Sequence, residues 1–275
     1  MSPDALGWDA CAQAWSDSSA RFERAIQKVT LKLLERLELF SGETVAEVAC
    51  GPGGMIPLLA DAVAPGGHVI AGDISAQMVE HARDRVAEAG VPGVELGVLD
   101  LDWLDLPSAS VGALVGRFAY MFASDPAAAL GDARRVLRPG GRFATAVWDS
   151  PERNPYGSIP LECLVEVGLG DPPVAGAPGM FRLAEEGAIE RLLLDAGFLE
   201  VEVESVPVNF TFRSFDDYLG WTLGLSQRVS TALAEGVEGT VEEFSSELTR
   251  RVAPFTSEAG AIDLPGVVLV ASGRA

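Results

Sequence analysis

The stretch VAEVACGPGGM, residues 45–55, decides how this chain folds. Its apolar start suits a short strand. Glycines at 51, 53 and 54 let the backbone turn tightly and approach a ligand without side-chain interference. MIPLLADAV at 55–63 runs as a helix up to the stop Pro65-Gly66-Gly67. Working outward, HVIAGD at 68–73 is a second strand, and Ser75 caps a helix that Gly90 ends. Further strands are expected at 94–100, 111–118 and 142–149. Asp125-Pro126 opens the helix before the last of these, since proline suits the first helical turn, and Arg138-Pro139-Gly140-Gly141 ends it. Strands separated by single helices imply parallel pairing with right-handed crossovers. The expected fold is α/β, a doubly wound sheet that binds ligands at the carboxyl ends of its strands.

On the amino-terminal side, residues 9–39 repeat apolar side chains at helical spacing: Phe22, Ile26, Val29, Leu33, Leu34 and Leu37. On the carboxyl-terminal side the pattern loosens. Prolines and glycines crowd residues 150–180, which read as irregular. A helix is expected at 183–196 and a strand at 201–212. An amphipathic helical stretch at 214–251 is interrupted near Gly236 and Gly239, and a last apolar strand lies at 266–275. The expected organisation is a helical segment at 1–42 lying over the site and one domain at 43–275. Insertions near 150–180 and 214–258 form a small cap over the strand ends.

Composition narrows the function classes. Forty acidic residues face twenty basic ones, a formal charge of −20. Such a surface repels phosphate backbones and anionic lipids, so neither nucleic acid nor stable membrane association is expected. Cys11, Cys50 and Cys163 have no paired spacing, and there are only two histidines, so no disulfide framework and no metal site are expected. No apolar run approaches the ~20 residues of a membrane span, and residues 1–10 lack the features of a signal peptide. A cytoplasmic location fits these features. A homodimer stays open as the assembly.

The glycine turn enters a helix whose amino end favours negative charge. Asp73 ends the second strand, where a carboxylate can accept from both hydroxyls of a ribose, and Asp100 ends the third. Asp73 also has a simpler reading as a helix cap, but Ser75 fills that role. A glycine turn and two acids suit a nucleoside with a polar tail. A dinucleotide site would read G-x-G-x-x-G, and here alanine stands first, at Ala49. Glu47 sits just before the turn, awkward beside a pyrophosphate but apt beside an ammonium. S-adenosylmethionine carries an ammonium, a sulfonium and no phosphate, so charge favours it over a nicotinamide dinucleotide.

Four stretches, VAEVACGPGG, AGDISAQMVEHAR, LDLDWLDLP and RFAYMFASDPAAALGDARRVLRPGGRFATAVW, appear in order across residues 43–148. In them the chain resembles the class I S-adenosylmethionine-dependent methyltransferases, on the branch of the ubiquinone/menaquinone biosynthesis C-methyltransferases. The resemblance implies a seven-stranded, mostly parallel sheet whose last strand is antiparallel. It implies that Glu47 faces the methionine amino group, and that Ala49, Cys50, Gly51 and Gly53 line the methionine portion. Asp73 would hold the ribose. Ile74 and Met78 would pack on the adenine, Asp100 would accept from its amino group and Leu101 would offer backbone. Arg117 and Phe118 would sit beside the sulfonium and the acceptor. Two positions depart from the family: Ala49 replaces its usual first glycine, and Gly112 replaces an acid near the start of the fourth strand.

Several residues keep two readings. Met78 is core or adenine contact. Trp8 and Trp15 are helix-packing aromatics or part of a cover over the cofactor. His81, beside Arg83 and Arg85, is a solvated surface residue. Trp148, Tyr156, Phe181, Trp221 and Phe215 line an apolar pocket or anchor the cap. Tyr120, Met121 and Phe122 pack the core or meet the acceptor, and there the Tyr120 hydroxyl would orient it. The expected chemistry is methyl transfer to an O, N or C atom of a small, fairly apolar metabolite. Alignment is its main catalytic device, with Arg117 or Tyr120 orienting the acceptor. The alternative is a cofactor-binding regulator or non-methylating catalyst on the same fold.

Overall fold

The computed structural model describes residues 7–174, 176–236 and 239–275. Two helices come first, α1 (Trp8–Ala25) and α2 (Gln27–Leu37). A core of alternating elements follows: β1 (Thr44–Val48), α3 (Ile56–Val63), β2 (His68–Asp73), α4 (Ala76–Ala89), β3 (Val94–Val98), β4 (Val111–Arg117), α5 (Pro126–Val136) and β5 (Leu137–Trp148). The rest comprises α6 (Pro155–Glu166), α7 (Ala188–Asp195), β6 (Leu199–Phe212), α8 (Phe215–Leu225), α9 (Gln227–Glu235), α10 (Thr240–Val252) and β7 (Ile262–Arg274).

The strands form one seven-stranded sheet in the order β3-β2-β1-β4-β5-β7-β6. Strands β1 to β5 pair in parallel, and β7 runs antiparallel between β5 and β6. The chain starts at the centre, moves outward to β3, then crosses back to β4. The switch point therefore lies between the tips of β1 and β4, and an open α/β sheet binds its ligand at such a crevice. Strands β1 and β4 are buried almost throughout, as a central parallel strand covered on both faces must be. Helix α2 runs beneath β4, β5 and β7, while α5 and α7 pack together on the opposite face.

The helix expected at 9–39 is two helices, broken at Ile26, whose φ of −102° and ψ of 13° leave the helical basin. The third strand ends at Val98, so Asp100 stands in the turn beyond it. The helix that Asp125 caps stops at Val136, and β5 begins five residues sooner than expected, at Leu137. The helix expected from residue 183 begins at Ala188, and the stretch 214–251 has a further break at Ser226.

Residues 150–180, expected to be irregular, contain α6. Pro155 takes its first position, where no N–H is needed. Pro160 lies inside the helix and leaves the Tyr156 carbonyl without its usual N–H partner. The Tyr218 hydroxyl, from α8, donates to that carbonyl at 3.2 Å. A contact from outside the helix repairs it, and no local pattern reveals that. Among the described residues, no helix is long and apolar enough to cross a membrane, and no acid, histidine and cysteine cluster fits a metal ion.

Candidate functional site

The turn after β1 is built by unusual backbone. Ala49 has φ 53°, Gly51 φ 54° and Gly53 φ 79°, all in the left-handed region. Glycine reaches it freely, whereas alanine is strained there by roughly 1–2 kcal/mol. That is the cost of the departure at Ala49. Gly53 is further required by packing, because a Cβ there would press on the Cα of Ala82 at 3.1 Å and push α4 away. At the tip of β4, Phe118 also takes positive φ, 60°. Strained residues thus flank the switch point on both sides, as they often do at sites.

Asp73 is buried at the tip of β2. Its carboxylate accepts from the Gly51 N–H at 2.9 Å and the Ser75 N–H at 3.0 Å. These bonds hold it against the glycine turn and fix its orientation. Ser75 caps α4 by accepting from the Met78 N–H at 3.1 Å, and its hydroxyl donates to Asp9 of α1 at 2.5 Å. Met78 is buried and Ile74 half-buried beside it. Asp100 is exposed, accepts from the Asp102 N–H at 2.9 Å, and is followed by half-buried Leu101.

Glu47 and Arg117 line the crevice from β1 and β4. Glu47 is paired in register with Val115, two residues before Arg117, so both side chains leave the same face of the sheet. Glu47 is 1% exposed, and its Oε2 has no hydrogen-bond partner. Burial pushes its carboxyl up to about 8; Arg117 draws it down, and Glu23 and Asp73 push it further up. Arg117 is buried too, which works against its charge, but Glu23 and Glu47 outweigh that and keep it protonated. It donates to Glu23 at 2.8 and 2.5 Å and to the Thr30 hydroxyl at 2.7 Å. Burial raises the Cys50 thiol far above its ordinary value, so Cys50 contributes backbone and bulk, not a thiolate.

Tyr120 lies elsewhere. Its ring packs under Gly116 and against Phe143, with centroids 5.4 Å apart. Gly116 faces the side of the sheet opposite to Arg117. The ring is fully buried, its hydroxyl has no hydrogen-bond partner, and burial drives its pKa upward. Of the two expected readings of Tyr120, its burial agrees with core packing and not with an acceptor met beside Arg117: the turn beyond β4 tucks the ring under Gly116, on the opposite face.

On the Arg117 side, aromatic rings form a continuous wall. Phe118 stacks on Trp148 at 4.6 Å, Trp148 tilts against Tyr156 at 5.7 Å, and Tyr156 stacks on Phe210 at 3.9 Å. Phe22 of α1 meets Phe118 at 5.8 Å, and Trp15 meets Phe22 at 5.1 Å. Trp221 reaches the wall through Phe210 at 6.3 Å. Trp8 packs edge-on to Phe122 at 5.1 Å. The structure thus brings Glu47, the glycine turn, Asp73, Arg117 and Phe118 together.

Sequence reading missed Glu23, Thr30, Phe22 and Phe210. The available signal for the first two was polar residues seven apart, in step with the apolar stripe of residues 22, 26, 29 and 33. Gly112, the other departure, is also explained. Glu43, from the loop before β1, occupies the space a side chain at 112 would need and pairs with buried Arg142. The acid is supplied from a different strand end.

Residues 45–141 match the family model described as a methyltransferase domain. An uncharacterized protein of a transposon in Streptomyces fradiae is 34% identical over 74% of this chain, which spans 56% of its length. Nocamycin O-methyltransferase of Saccharothrix syringae is 26% identical, with 83% of this chain and 84% of that one aligned. A ubiquinone/menaquinone biosynthesis C-methyltransferase of Pseudomonas syringae is 31% identical over 40% of this chain and 44% of its own. Among solved structures, a putative methyltransferase from Bacillus halodurans superposes with a TM-score of 0.59. It is 20% identical, with 90% of this chain and 98% of that one covered. From β1 to the start of β5 the chain is thus similar to a methyltransferase domain, and its sheet has the fold of that solved structure.

Proposed function

We propose that this protein transfers a methyl group from S-adenosylmethionine to an O, N or C atom of a small, fairly apolar metabolite. The observation that carries the reading is the buried Glu47 carboxyl, unpartnered at Oε2 beside the glycine turn. A buried acid with a vacant acceptor is costly unless a cation meets it. The ammonium of an amino-acid tail meets it, and a pyrophosphate would be repelled.

Asp73, oriented by Gly51 and Ser75, accepts from the ribose hydroxyls. Ile74, Met78, Asp100 and Leu101 bound the adenine side. Ala49, Cys50, Gly51 and Gly53 line the amino-acid tail. Bound S-adenosylmethionine supplies a methyl group already activated by its sulfonium. The chain's own task is to align the acceptor and exclude water. Phe118 and Trp148 offer the apolar face for this, with Tyr156, Phe210 and Trp221 behind them. The 84% coverage of an O-methyltransferase supports a small-molecule acceptor. Three buried free cysteines, at 11, 50 and 163, support a reducing, cytoplasmic setting.

Calorimetry with S-adenosylhomocysteine tests the reading. The wild-type chain binds it, and Asp73→Ala weakens binding about 100-fold, as the loss of charge-assisted hydrogen bonds to two hydroxyls requires. Unchanged affinity in Asp73→Ala, or binding of a nicotinamide dinucleotide in its place, overturns the assignment.

A further inference from the structure

The tip of β1 presents one acid, Glu47, and the fold brings a second beside it from α1. Glu23 is held by Arg117 through both carboxylate oxygens, at 2.8 and 2.5 Å. Thr30 of α2 takes another Arg117 donor at 2.7 Å, so the guanidinium is fixed from two helices. Glu23 Oε1 occupies the space that a side chain on Gly54 would fill. The glycine turn is thus shaped to let this carboxylate rest on it. From the strand side, Glu47 feels Arg117 and Glu23 strongly enough for both to shift its proton affinity.

Two acids surround one base at this end of the crevice, and Asp73 adds a third carboxylate nearby. The local charge is negative when all are ionised; Glu47 and Asp73 are buried, and Glu23 is half-buried at the rim. A carboxylate offers about four lone-pair directions, so the pair with Arg117 leaves Glu23 able to accept again. An ammonium donates three hydrogen bonds, more than Glu47 alone can receive in good geometry. Resting on the cofactor reading above, we propose that Glu23 is a second acceptor for the ammonium at the amino-acid end of S-adenosylmethionine, with Arg117 and Thr30 as its positioning residues. The consequence is that α1 belongs to the cofactor site. Its other contacts agree, since Asp9 meets Ser75 at 2.5 Å and Ser19 accepts from Arg85 of α4 at 2.5 Å.

The test compares two ligands that share a nucleoside thioether. S-adenosylhomocysteine has the amino-acid end, and 5′-methylthioadenosine lacks it. By calorimetry, Glu23→Gln is expected to weaken S-adenosylhomocysteine about tenfold or more while leaving methylthioadenosine within about twofold. Equal weakening of both ligands, or of neither, overturns the proposal. Because Glu23→Gln strands a buried Arg117 and could destabilise the fold, the double variant Glu23→Gln/Arg117→Met removes both charges together. Its affinity for S-adenosylhomocysteine stays low if Glu23 itself meets the ammonium. Recovery to the wild-type value shows that the single variant acted only through a stranded arginine, and sinks the idea. The two readings fail separately. A wild-type chain that binds neither ligand removes the cofactor assignment, whereas a wild-type preference for S-adenosylhomocysteine that survives intact in Glu23→Gln removes only the role of Glu23.

Discussion

Glu47 is surrounded by groups that oppose one another. Burial, Glu23 and Asp73 favour its protonated form, Arg117 favours the ionised one, and the balance lies at about 8 against an ordinary 4.5. Between those values the native chain holds a proton that the unfolded chain has released. Stability linked to Glu47 is therefore full below pH 4.5 and is lost as pH rises toward 8. Glu47→Gln resembles the protonated form at every pH. In the ligand-free protein, the melting temperature of the wild type should fall relative to Glu47→Gln as pH goes from 5 to 8, which scanning calorimetry measures. Curves that run parallel across that window would show that the carboxyl is not buried as described. The neighbouring Ala49 belongs to the same scale. Its positive φ is one that glycine adopts freely and alanine does not, and the strain sits in the turn that Asp73 holds through Gly51.

Among the elements, α6 and the loop before it depend on one side chain. Asn154 is fully buried. Its amide donates to the Val267 carbonyl at 3.0 Å and the Asp149 carbonyl at 3.1 Å, and its oxygen accepts from the Val267 N–H at 2.9 Å. It thereby extends the β5–β7 pairing past Trp148, where β5 ends, and anchors the start of α6 on β7. Asn154→Ala leaves the Val267 N–H unmet, while the Val267 carbonyl keeps the Asp149 N–H at 3.1 Å, and should cost about 1–3 kcal/mol. Urea denaturation measures that loss, and a change under 1 kcal/mol would mean that water replaces the amide. Helix α6 also illustrates the limit of local patterns. Its prolines argue against a helix, and only the Tyr218 hydroxyl, 62 positions away, supplies the missing partner.

Across the whole molecule, net charge dominates the long-range forces. With forty acids against twenty bases, repulsion over the surface outweighs what the surface ion pairs contribute. Salt screens the excess, since the screening length falls from ~30 Å at 0.01 M to ~10 Å at 0.1 M. The melting temperature is therefore expected to rise by several degrees between 0.01 and 0.5 M sodium chloride; a fall would show that the ion pairs dominate. The residues of the crevice were legible wherever the chain builds it locally. The turn at 51–54, Asp73 at a strand end and the Ser75 cap each depend on neighbours a few positions away, so glycine spacing and apolar runs determined them. The α/β class was legible through alternating elements, and the antiparallel last strand only as an implication of a resemblance whose own motifs end at residue 148. Tyr120 kept two readings in the sequence, and the choice of core packing rests on the turn beyond β4, which tucks its ring under Gly116. Glu23 could not be placed at all, because it reaches Arg117 across 94 positions of chain. Local sequence therefore sufficed for the side of the crevice built by the glycine turn and Asp73. The Glu23–Arg117 pair and the aromatic wall depend on where α1, α6 and α8 dock, and docking is decided by burial summed over the whole core, which no short segment encodes.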